Sequence, residues 1–563
     1  MIATQISRTR ALALLGLIWA TIYLPALGTL EIKGEEGRRI LPGVTMLGTG
    51  NWIVPSVGGV DYFSKPPLIN WAIAAAIRVS GRQNEWAARA PSALCVLALG
   101  AGSVWLLADW LGGGGALLAA IFMLTGIGMM EKGRLAEIEA MYISLYGLAL
   151  VSWLALWRRA RLQPASPGLV WLAWTVPWVF LALGLLTKGP LHLVFFYAVV
   201  AGVLLAARRG RELWRWPHLA GVSLMLALFA AWAVPYLHLA ARGRVGHVWT
   251  GQMANRFEID ESFRPGSWAL NIPRGLVNFV PWVVLLPLLW RRLPAVDGED
   301  AAAAADMAIL RGGRWALAAC FLVVSLAPGS LPRYTLPLLV PASVLLALVC
   351  AREPVFGALP DWLPVVWSRV LIACLVYGGL GAVVATGVLG GVYGWSWRWS
   401  LAGGLVVACV WSILQAHRLS NAGHRAWPAL GILSAAAMGV LTLDYAMGAV
   451  PRILWKERLR PMAFQLNALV GAAGPVYAYQ PGFLPILFYL HPSAQYVRRI
   501  ENLPAAANYL LVYAPDDPLV ERQLCARGIT SQRAGTLDHL SRGTWYLLRL
   551  GRGPAPRENN TPL

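Results

Sequence analysis

Long apolar runs separated by short charged connections dominate the first 450 residues of the chain. A helix needs about 20 predominantly apolar residues to cross a bilayer. The runs 11–30, 86–109, 113–131, 137–157, 168–187, 189–207, 217–240, 271–290, 313–328, 333–351, 364–390, 397–416 and 426–448 fit that requirement. They predict about thirteen transmembrane helices. The first, "ALALLGLIWATIYLPALGTL", follows Arg8 and Arg10 without a short apolar core and small-residue cleavage site. It therefore reads as a retained helix and not as a signal peptide. Two stretches of the segment 31–85 behave differently. Residues 35–48 and 66–80 mix polar and apolar positions at helical spacing, and the second is too short to span comfortably. Both predict helices lying along the membrane interface. "LGGGGALL" (111–118) predicts a tight turn between helices; no strand precedes it, so it is not a nucleotide loop.

From about residue 451 the pattern turns soluble. "GPVYAYQ", "ANYLLVYAP" and "GTWYLLRL" predict short strands, and "PMAFQLNALVGAA" and "PLVERQLCARGI" predict helices between them. The expected fold is an all-α polytopic membrane domain over 1–450, followed by a small α/β domain over 451–550. The end, 551–563, is expected to be disordered.

Composition narrows the class. Of the 563 residues 58% are hydrophobic and 13% charged, against about 25% charged in a typical soluble domain. Such a chain cannot cover a water-soluble surface of its own size. That excludes a cytosolic enzyme, a secreted disulfide scaffold, a coiled coil and a disordered hub. The formal charge of +20 fits the positive-inside bias and anionic headgroups, and no zinc-finger or RNA-binding signature suggests nucleic acid. With the N-terminus in the cytoplasm, the clusters Arg158/Arg159/Arg161, Arg208/Arg209/Arg211/Arg215, Arg291/Arg292, Arg352 and Arg418/Arg425 all fall inside. Thirteen spans then put the C-terminal domain outside. Six cysteines without a CxxC pair predict neither a disulfide nor a cysteine metal site.

The connections assigned outside carry charge that the orientation rule does not ask for. Carboxylates Glu35, Glu36, Glu137 and Glu139 share that side with Arg38, Lys65, Arg134, Lys188, Arg256 and Arg333. Cations suit a phosphate whose charge builds during transfer, and a carboxylate can orient or deprotonate an attacking hydroxyl. The outer side of a bacterial membrane lacks nucleotides, so an activated donor must arrive attached to lipid. Glycosyl transfer from a lipid phosphate meets these conditions. Blander readings exist for single residues. Glu35 and Glu36 could complement a helix dipole, and Glu139 could pair with Arg134 or Lys132. A flippase would need midplane charges and an inverted repeat, yet the spans are nearly charge-free at their centres and neither "EEGRR" nor "YFSKP" recurs. A non-catalytic scaffold would tolerate loss of Glu35.

The ordered motifs carry a resemblance. "GEEGRRILPGVTMLGTGNWIVP" followed by "DYFSKPPLINW", then "RLAEIEAM", "LLTKGP" and "LPRYTLP", resemble the lipid A aminoarabinose transferases and their relatives. These belong to the superfamily of integral-membrane glycosyltransferases of GT-C type that also holds the protein O-mannosyltransferases. The resemblance covers about the first 340 residues. It implies a GT-C fold and an inverting transferase in the bacterial inner membrane. It would move a sugar, with 4-amino-4-deoxy-L-arabinose the leading candidate, from undecaprenyl phosphate to an outer-leaflet acceptor such as a lipid A phosphate. A protein or polysaccharide acceptor is the alternative.

The same resemblance assigns residues. Glu35 falls on the family's catalytic Asp and Glu36 on its Glu partner. Lys65 falls on a position that the resemblance implies binds phosphate, and Arg38, Arg134, Glu139, Lys188, Arg333 and Tyr334 fall on motif positions; together with Tyr62 and Arg256 they are the expected substrate-binding residues. Glu35 and Glu139 stand where the family usually has Asp, Ser64 where many relatives have Glu, and "SLAPGSLPRY" lacks two family cations. Met253 occupies the His position of the loop "GQMANRFEIDESFRPGSW", so neither a divalent metal nor another cofactor is expected.

Overall fold

The structure is a computed structural model, and it describes residues 6–57, 60–240, 265–292, 300–356, 360, 362–393, 397–420, 427–471, 474–540 and 543–551. The chain divides into two compact units, one of Met1–Leu27 with Ser92–Pro451, the other of Gly28–Pro91 with Arg452–Leu563. The first extra-membrane segment thus groups with the tail, and not with the helical domain drawn at 1–450.

Unit one is helical. Among the described residues eight helices are long and apolar enough to cross a membrane, or nine if Asn271–Val277 and Trp282–Trp290, bent by 108°, form one span. Each of the thirteen expected runs contains helix, but Arg8–Tyr23 has 16 residues and Leu191–Ala206 has 16. The helix Glu85–Leu124 loses helical dihedrals at Gly112 (φ 71°, ψ 164°). That left-handed position is open to glycine, and it separates the 86–109 and 113–131 runs as the "GGGG" stretch predicts. Ile138–Leu162 has Glu139 in its first turn and Arg159 and Arg161 in its last, the order that complements the helix dipole.

Small residues bring neighbouring helices close. A Cβ on Gly312 would lie 2.2 Å from the Gly202 carbonyl, so Ala301–Leu326 and Leu191–Ala206 meet backbone to backbone, as membrane helices do where lipid gives no hydrophobic drive. The core is apolar and aromatic, with Trp153, Trp178 and Trp282 buried. Asn278 fixes the bent pair: its side-chain amide donates to Pro332 O (2.8 Å) and Thr335 Oγ1 (3.0 Å). Thr335 Oγ1 in turn donates to Gly275 O at 3.1 Å. These bonds set the turn Pro332–Leu338, which carries Arg333 and Tyr334.

Unit two joins two interfacial-type helices, Gly37–Thr49 and Leu68–Ser80, to a five-stranded mixed sheet. The short hairpin β1 (Ser56–Val57) and β2 (Val60–Asp61) lies between those helices in sequence. The sheet comprises β3 (Tyr477–Tyr479), β4 (Gln495–Val497), β5 (Tyr509–Tyr513), β6 (Thr530–Leu540) and β7 (Gly543–Gly551), in the order β4-β3-β5-β7-β6. β3 runs parallel to β4 and β5, whereas β7 is antiparallel to β5 and β6. β5 reads "YLLVY" because both faces of a central strand are covered. The predicted strands and helices of the tail are present, and β4 and β6 are additional.

Polar groups tie the two sequence segments of this unit. Glu31 accepts from the backbone N–H groups of Leu459 (3.1 Å) and Arg460 (2.7 Å), at the start of the helix Leu459–Val470. That pairing satisfies donors which a helix N-terminus leaves orphaned. Arg460 Nε donates to Glu85 at 2.7 Å, and Tyr489 Oη donates to the same carboxylate at 2.7 Å.

Candidate functional site

Each unit contains one cluster of the charged residues singled out by sequence. In unit one, Glu139 sits in the first turn of Ile138–Leu162, where a carboxylate meets the positive end of the helix dipole. Lys188 is the residue that ends Pro167–Thr187, where a cation meets the negative end. Lys188 Nζ lies 3.1 Å from Glu139 Oε1, and Arg333 Nε lies 3.7 Å from the same oxygen. The Lys188 ammonium also faces the rings of Tyr142 (5.4 Å) and Tyr334 (5.6 Å), a cation–π arrangement that favours keeping the charge. Glu139 is 6% exposed, and the Arg333 side chain is 34% exposed. Arg333 Nε is buried without a hydrogen-bond partner among the described residues. A space of about 10 Å³ lies among Glu139, Tyr142, Lys188, Arg333 and Tyr334, enough for about one water. Two cations against one acid leave a net positive charge beside two tyrosines. Such a cluster can attract an anion, although the enclosed space itself is no larger than a water.

Arg134 is placed otherwise. Both its terminal nitrogens donate to main-chain carbonyls, those of Ile22 and Pro25. The bonds satisfy carbonyls left orphaned where the first helix ends. Its guanidinium thus closes a helix end, apart from the Lys188–Glu139–Arg333 cluster. Nearby Lys132 lies 3.0 Å from both Glu131 and Glu137. Burial is the largest influence and lowers its pKa, yet Glu137 and Glu131 together outweigh it and hold the ammonium above its ordinary value. Arg256, with Met253, lies outside the described residues.

In unit two, Glu35 stands on the short turn Gly34–Glu36 with its side chain 36% exposed. Arg38 Nη1 lies 3.5 Å from its carboxylate and Arg39 Nη2 4.0 Å. Arg38 also faces the ring of Phe483 at 5.8 Å. Tyr62 is buried; its hydroxyl accepts from Arg39 Nη1 at 2.6 Å, and its ring meets Phe483 edge-on at 5.2 Å. Lys65 is half-buried in the turn before Leu68–Ser80.

Glu36 is placed differently from Glu35. It is fully buried, bound by Arg89 Nε (2.7 Å) and Nη2 (2.9 Å), and it accepts from the Lys33 N–H (3.2 Å). A bidentate carboxylate sealed from solvent holds its segment in place; it has no open face for an acceptor. Glu35 keeps its open face.

Three participants escaped sequence reasoning. Arg89 lies inside an apolar run and reads as a span-end charge. Phe483 lies in the tail, beyond the first 340 residues that the resemblance covers. Tyr142 lies one turn after Glu139 on an uninterrupted apolar helix, and the (i, i+3) spacing was its available signal. Among the described residues no three His, Cys, Asp or Glu side chains gather as a metal site would require.

The chain is similar in sequence and in fold to several known proteins. The family model described as dolichyl-phosphate-mannose-protein mannosyltransferase matches residues 64–234. An undecaprenyl phosphate-α-4-amino-4-deoxy-L-arabinose arabinosyl transferase from Aeromonas salmonicida is 27% identical over 446 residues, 77% of this chain and 76% of its own length. The protein of the same description from Erwinia tasmaniensis is 28% identical over 347 residues, 60% of this chain and 59% of its own. The crystal structure of ArnT from Cupriavidus metallidurans bound to undecaprenyl phosphate superposes with a TM-score of 0.67 at 18% identity. It covers 96% of this chain and 99% of that one, which establishes a common fold.

Proposed function

We propose that this chain, a member of the lipid A aminoarabinose transferase-like family of integral-membrane glycosyltransferases, moves a sugar from undecaprenyl phosphate to an acceptor at the outer face of the bacterial inner membrane. The leading pair is 4-amino-4-deoxy-L-arabinose and a lipid A phosphate. An acceptor oxygen attacks the anomeric carbon from the side opposite the prenyl phosphate. The bond from that carbon to the phosphate oxygen breaks, its electron pair goes to the phosphate, and the anomeric centre inverts.

The single observation that carries this reading is the Lys188–Glu139–Arg333 cluster, with Lys188 at 3.1 Å and Arg333 at 3.7 Å from one carboxylate oxygen. As charge grows on the leaving phosphate, Lys188 and Arg333 stabilise it. Glu139 keeps the two cations together before substrate arrives. Tyr142 and Tyr334 wall the ammonium. Glu35, with Arg38 and Lys65, contacts the acceptor. A lipid A phosphate is already ionised, so Glu35 positions it through the adjoining cations; a hydroxyl acceptor would give its proton to Glu35. Glu36 and Arg89 act as positioning residues for that segment. No metal takes part, since Met253 stands at the His position of the loop.

The test is reconstitution of the purified chain with undecaprenyl-phosphate-linked aminoarabinose and lipid A, followed by mass spectrometry of the lipids. The expected result is lipid A gaining one aminopentose, with turnover lost in Glu35→Gln and unaffected by a chelator. A chain that consumes the donor without modifying lipid A but modifies a protein or polysaccharide would move the acceptor. A chain that transfers to nothing overturns the reading.

A further inference from the structure

Unit two contains a cleft of about 470 Å³ between the β1–β2 hairpin and the ends of β3 and β4. The volume is that of an ordinary small-molecule site. Its lining includes Asp61, Tyr62, Gln480, Phe483, Arg498 and Arg499. The aromatic floor is fixed, because Tyr62 and Phe483 meet edge to face at 5.2 Å and 78°. The rim is charged, with Asp61, Arg498 and Arg499 exposed. Among the described residues neither guanidinium has an ion-pair partner, although a carboxylate, Asp61, shares the same opening.

The turn that shapes the cleft is unusual. Gln480 adopts a left-handed conformation (φ 44°) directly before Pro481, and Gly482 is left-handed too (φ 61°). For a non-glycine residue that conformation persists where surrounding bonds over-determine it. Gln480 N donates to Val497 O at 3.0 Å and Gln480 Nε2 donates to Arg498 O at 3.0 Å. Tyr496 Oη donates to Gly482 O. The turn is therefore locked to the end of β4, and Arg498 and Arg499 leave that strand end on a fixed backbone. Gln480 lines the cleft, and its side-chain oxygen can accept a hydrogen bond.

The floor continues into the candidate catalytic segment. Phe483, which meets Tyr62 on the cleft side, also lies under Arg38 at 5.8 Å, and Arg38 lies 3.5 Å from Glu35. We propose that this cleft is the acceptor subsite and takes a phosphorylated saccharide headgroup. The inference rests on the transferase reading above and deepens it. Aromatic faces pack against the apolar face of a sugar ring. Asp61 and Gln480 accept hydroxyl hydrogens. Arg498 and Arg499 pair with phosphate through the planar guanidinium fork that suits that group. An unphosphorylated glycan would leave both cations unused, and a peptide would have no call on the cations beyond its own acidic residues.

The experiment uses the full chain in detergent and measures binding of diphosphorylated lipid A, enzymatically dephosphorylated lipid A and undecaprenyl phosphate. Three proteins are compared: wild type, Arg498→Ala/Arg499→Ala and Glu35→Gln. Loss of two charge-assisted contacts should weaken binding of the phosphorylated probe by roughly tenfold or more. Undecaprenyl phosphate binding and the melting temperature should not change. Wild type should bind the dephosphorylated probe as weakly as the double variant binds the phosphorylated one. In turnover the double variant should raise the acceptor KM and leave kcat near wild type. Gln480→Ala, which frees the turn from Arg498 O, should raise KM in the same direction.

Equal binding of both lipid A forms, or an unchanged affinity in a folded double variant, overturns the cleft assignment. So does preferential binding of an acidic peptide over the phosphorylated lipid. The two readings fail separately. If Glu35→Gln abolishes transfer while the arginine variant leaves the acceptor KM unchanged, the transferase stands and the subsite falls. If the phosphorylated probe binds through Arg498 and Arg499 while wild type transfers no sugar, the transferase falls, and the cleft stands as a binding site for a phosphorylated saccharide headgroup and not as an acceptor subsite.

Discussion

Two clusters in the helical unit have the same charge and opposite character. Around Asp306, which is fully buried, stand Arg158, Arg352 (3.0 Å) and the Trp110 indole N–H (2.9 Å). Around Glu139 stand Lys188 (3.1 Å) and Arg333 (3.7 Å). Each has one acid and two cations, hence one net positive charge. At Asp306 the carboxylate is saturated: Oδ1 takes Arg158 and Trp110, and Oδ2 takes Arg352 and the far nitrogen of Arg158. At Glu139 the second cation stands beyond hydrogen-bond distance, and its Nε has no hydrogen-bond partner among the described residues. The two clusters share a charge count and differ in hydrogen-bond completion, and on the proposed reading that difference marks the functional one. A closed set stabilises the fold, and an open set keeps capacity for an anion.

The largest expected effect is at the closed set. Asp306→Ala leaves Arg158 and Arg352 without their acid in a buried place, and breaking such a pair costs about 3–5 kcal/mol. The variant should unfold well below wild type in a thermal scan in detergent, with activity falling in proportion to the folded fraction. A stable, fully folded Asp306→Ala would dissolve the distinction.

At the open set the expected loss is in rate. Lys188→Ala should reduce kcat by about 10²–10³, the range seen when one donor to a developing negative charge is removed. The melting temperature should fall as well, because Lys188 and Glu139 form a largely buried pair, but by less than in Asp306→Ala, since Arg333 stays beside Glu139. A variant that melts like Asp306→Ala and turns over normally once folded would make Glu139 a second structural cluster.

The sequence revealed these two places unequally. Lys188, Arg333 and Glu139 are separated by long apolar stretches, and it was the ordered motifs "RLAEIEAM", "LLTKGP" and "LPRYTLP" that joined them. No spacing rule would have done so. Asp306 lies outside the predicted run 313–328, because Asp306 and Arg311 lower the local hydropathy of 301–312. In the structure the helix begins at Ala301, with Asp300 accepting from the N–H groups of Ala302 (2.8 Å) and Ala303 (3.0 Å). That N-cap followed by an alanine run was readable. The helical class, the two short helices near 35–48 and 66–80 as helices, and the α/β tail were legible because each rests on local periodicity. The grouping of 28–91 with the tail was not. It depends on Glu31, Glu85, Arg460 and Tyr489 meeting across more than 350 residues of chain, and the loop and the tail each look solvated when read alone.

A smaller effect separates the two cations of the open set. Arg333→Lys keeps the charge and removes the guanidinium fork, so a site that grips phosphate with two parallel donors should weaken. The expected outcome is a donor KM raised by roughly tenfold, with kcat within a few-fold of wild type. If Arg333→Lys is silent, Arg333 acts as a point charge and the distance to Glu139 carries no meaning.

The smallest effect tests the completion argument away from either cluster, at Glu457. One carboxylate oxygen accepts from the Glu31 N–H at 2.9 Å, while the other is buried without a hydrogen-bond partner among the described residues. Burial raises the pKa of this carboxyl from its ordinary value, and the Glu31 charge adds to the rise, although the bond from the Glu31 N–H opposes it. The sign follows directly. A carboxyl raised in the folded state binds its proton more tightly there than in the unfolded chain. Its favourable contribution is complete below the unfolded pKa, near 4.5, and is lost as pH rises through the folded value. Glu457→Gln mimics the protonated form at every pH. The variant should therefore match wild type near pH 4 and melt above it at pH 7. The comparison is the difference between the two proteins, because the other paired carboxylates titrate in both and cancel. A variant that melts below wild type at neutral pH would show that Glu457 is stabilised as an anion. Its incomplete hydrogen bonding would then no longer mark a strained charge, and the same reasoning applied to Arg333 would lose its support.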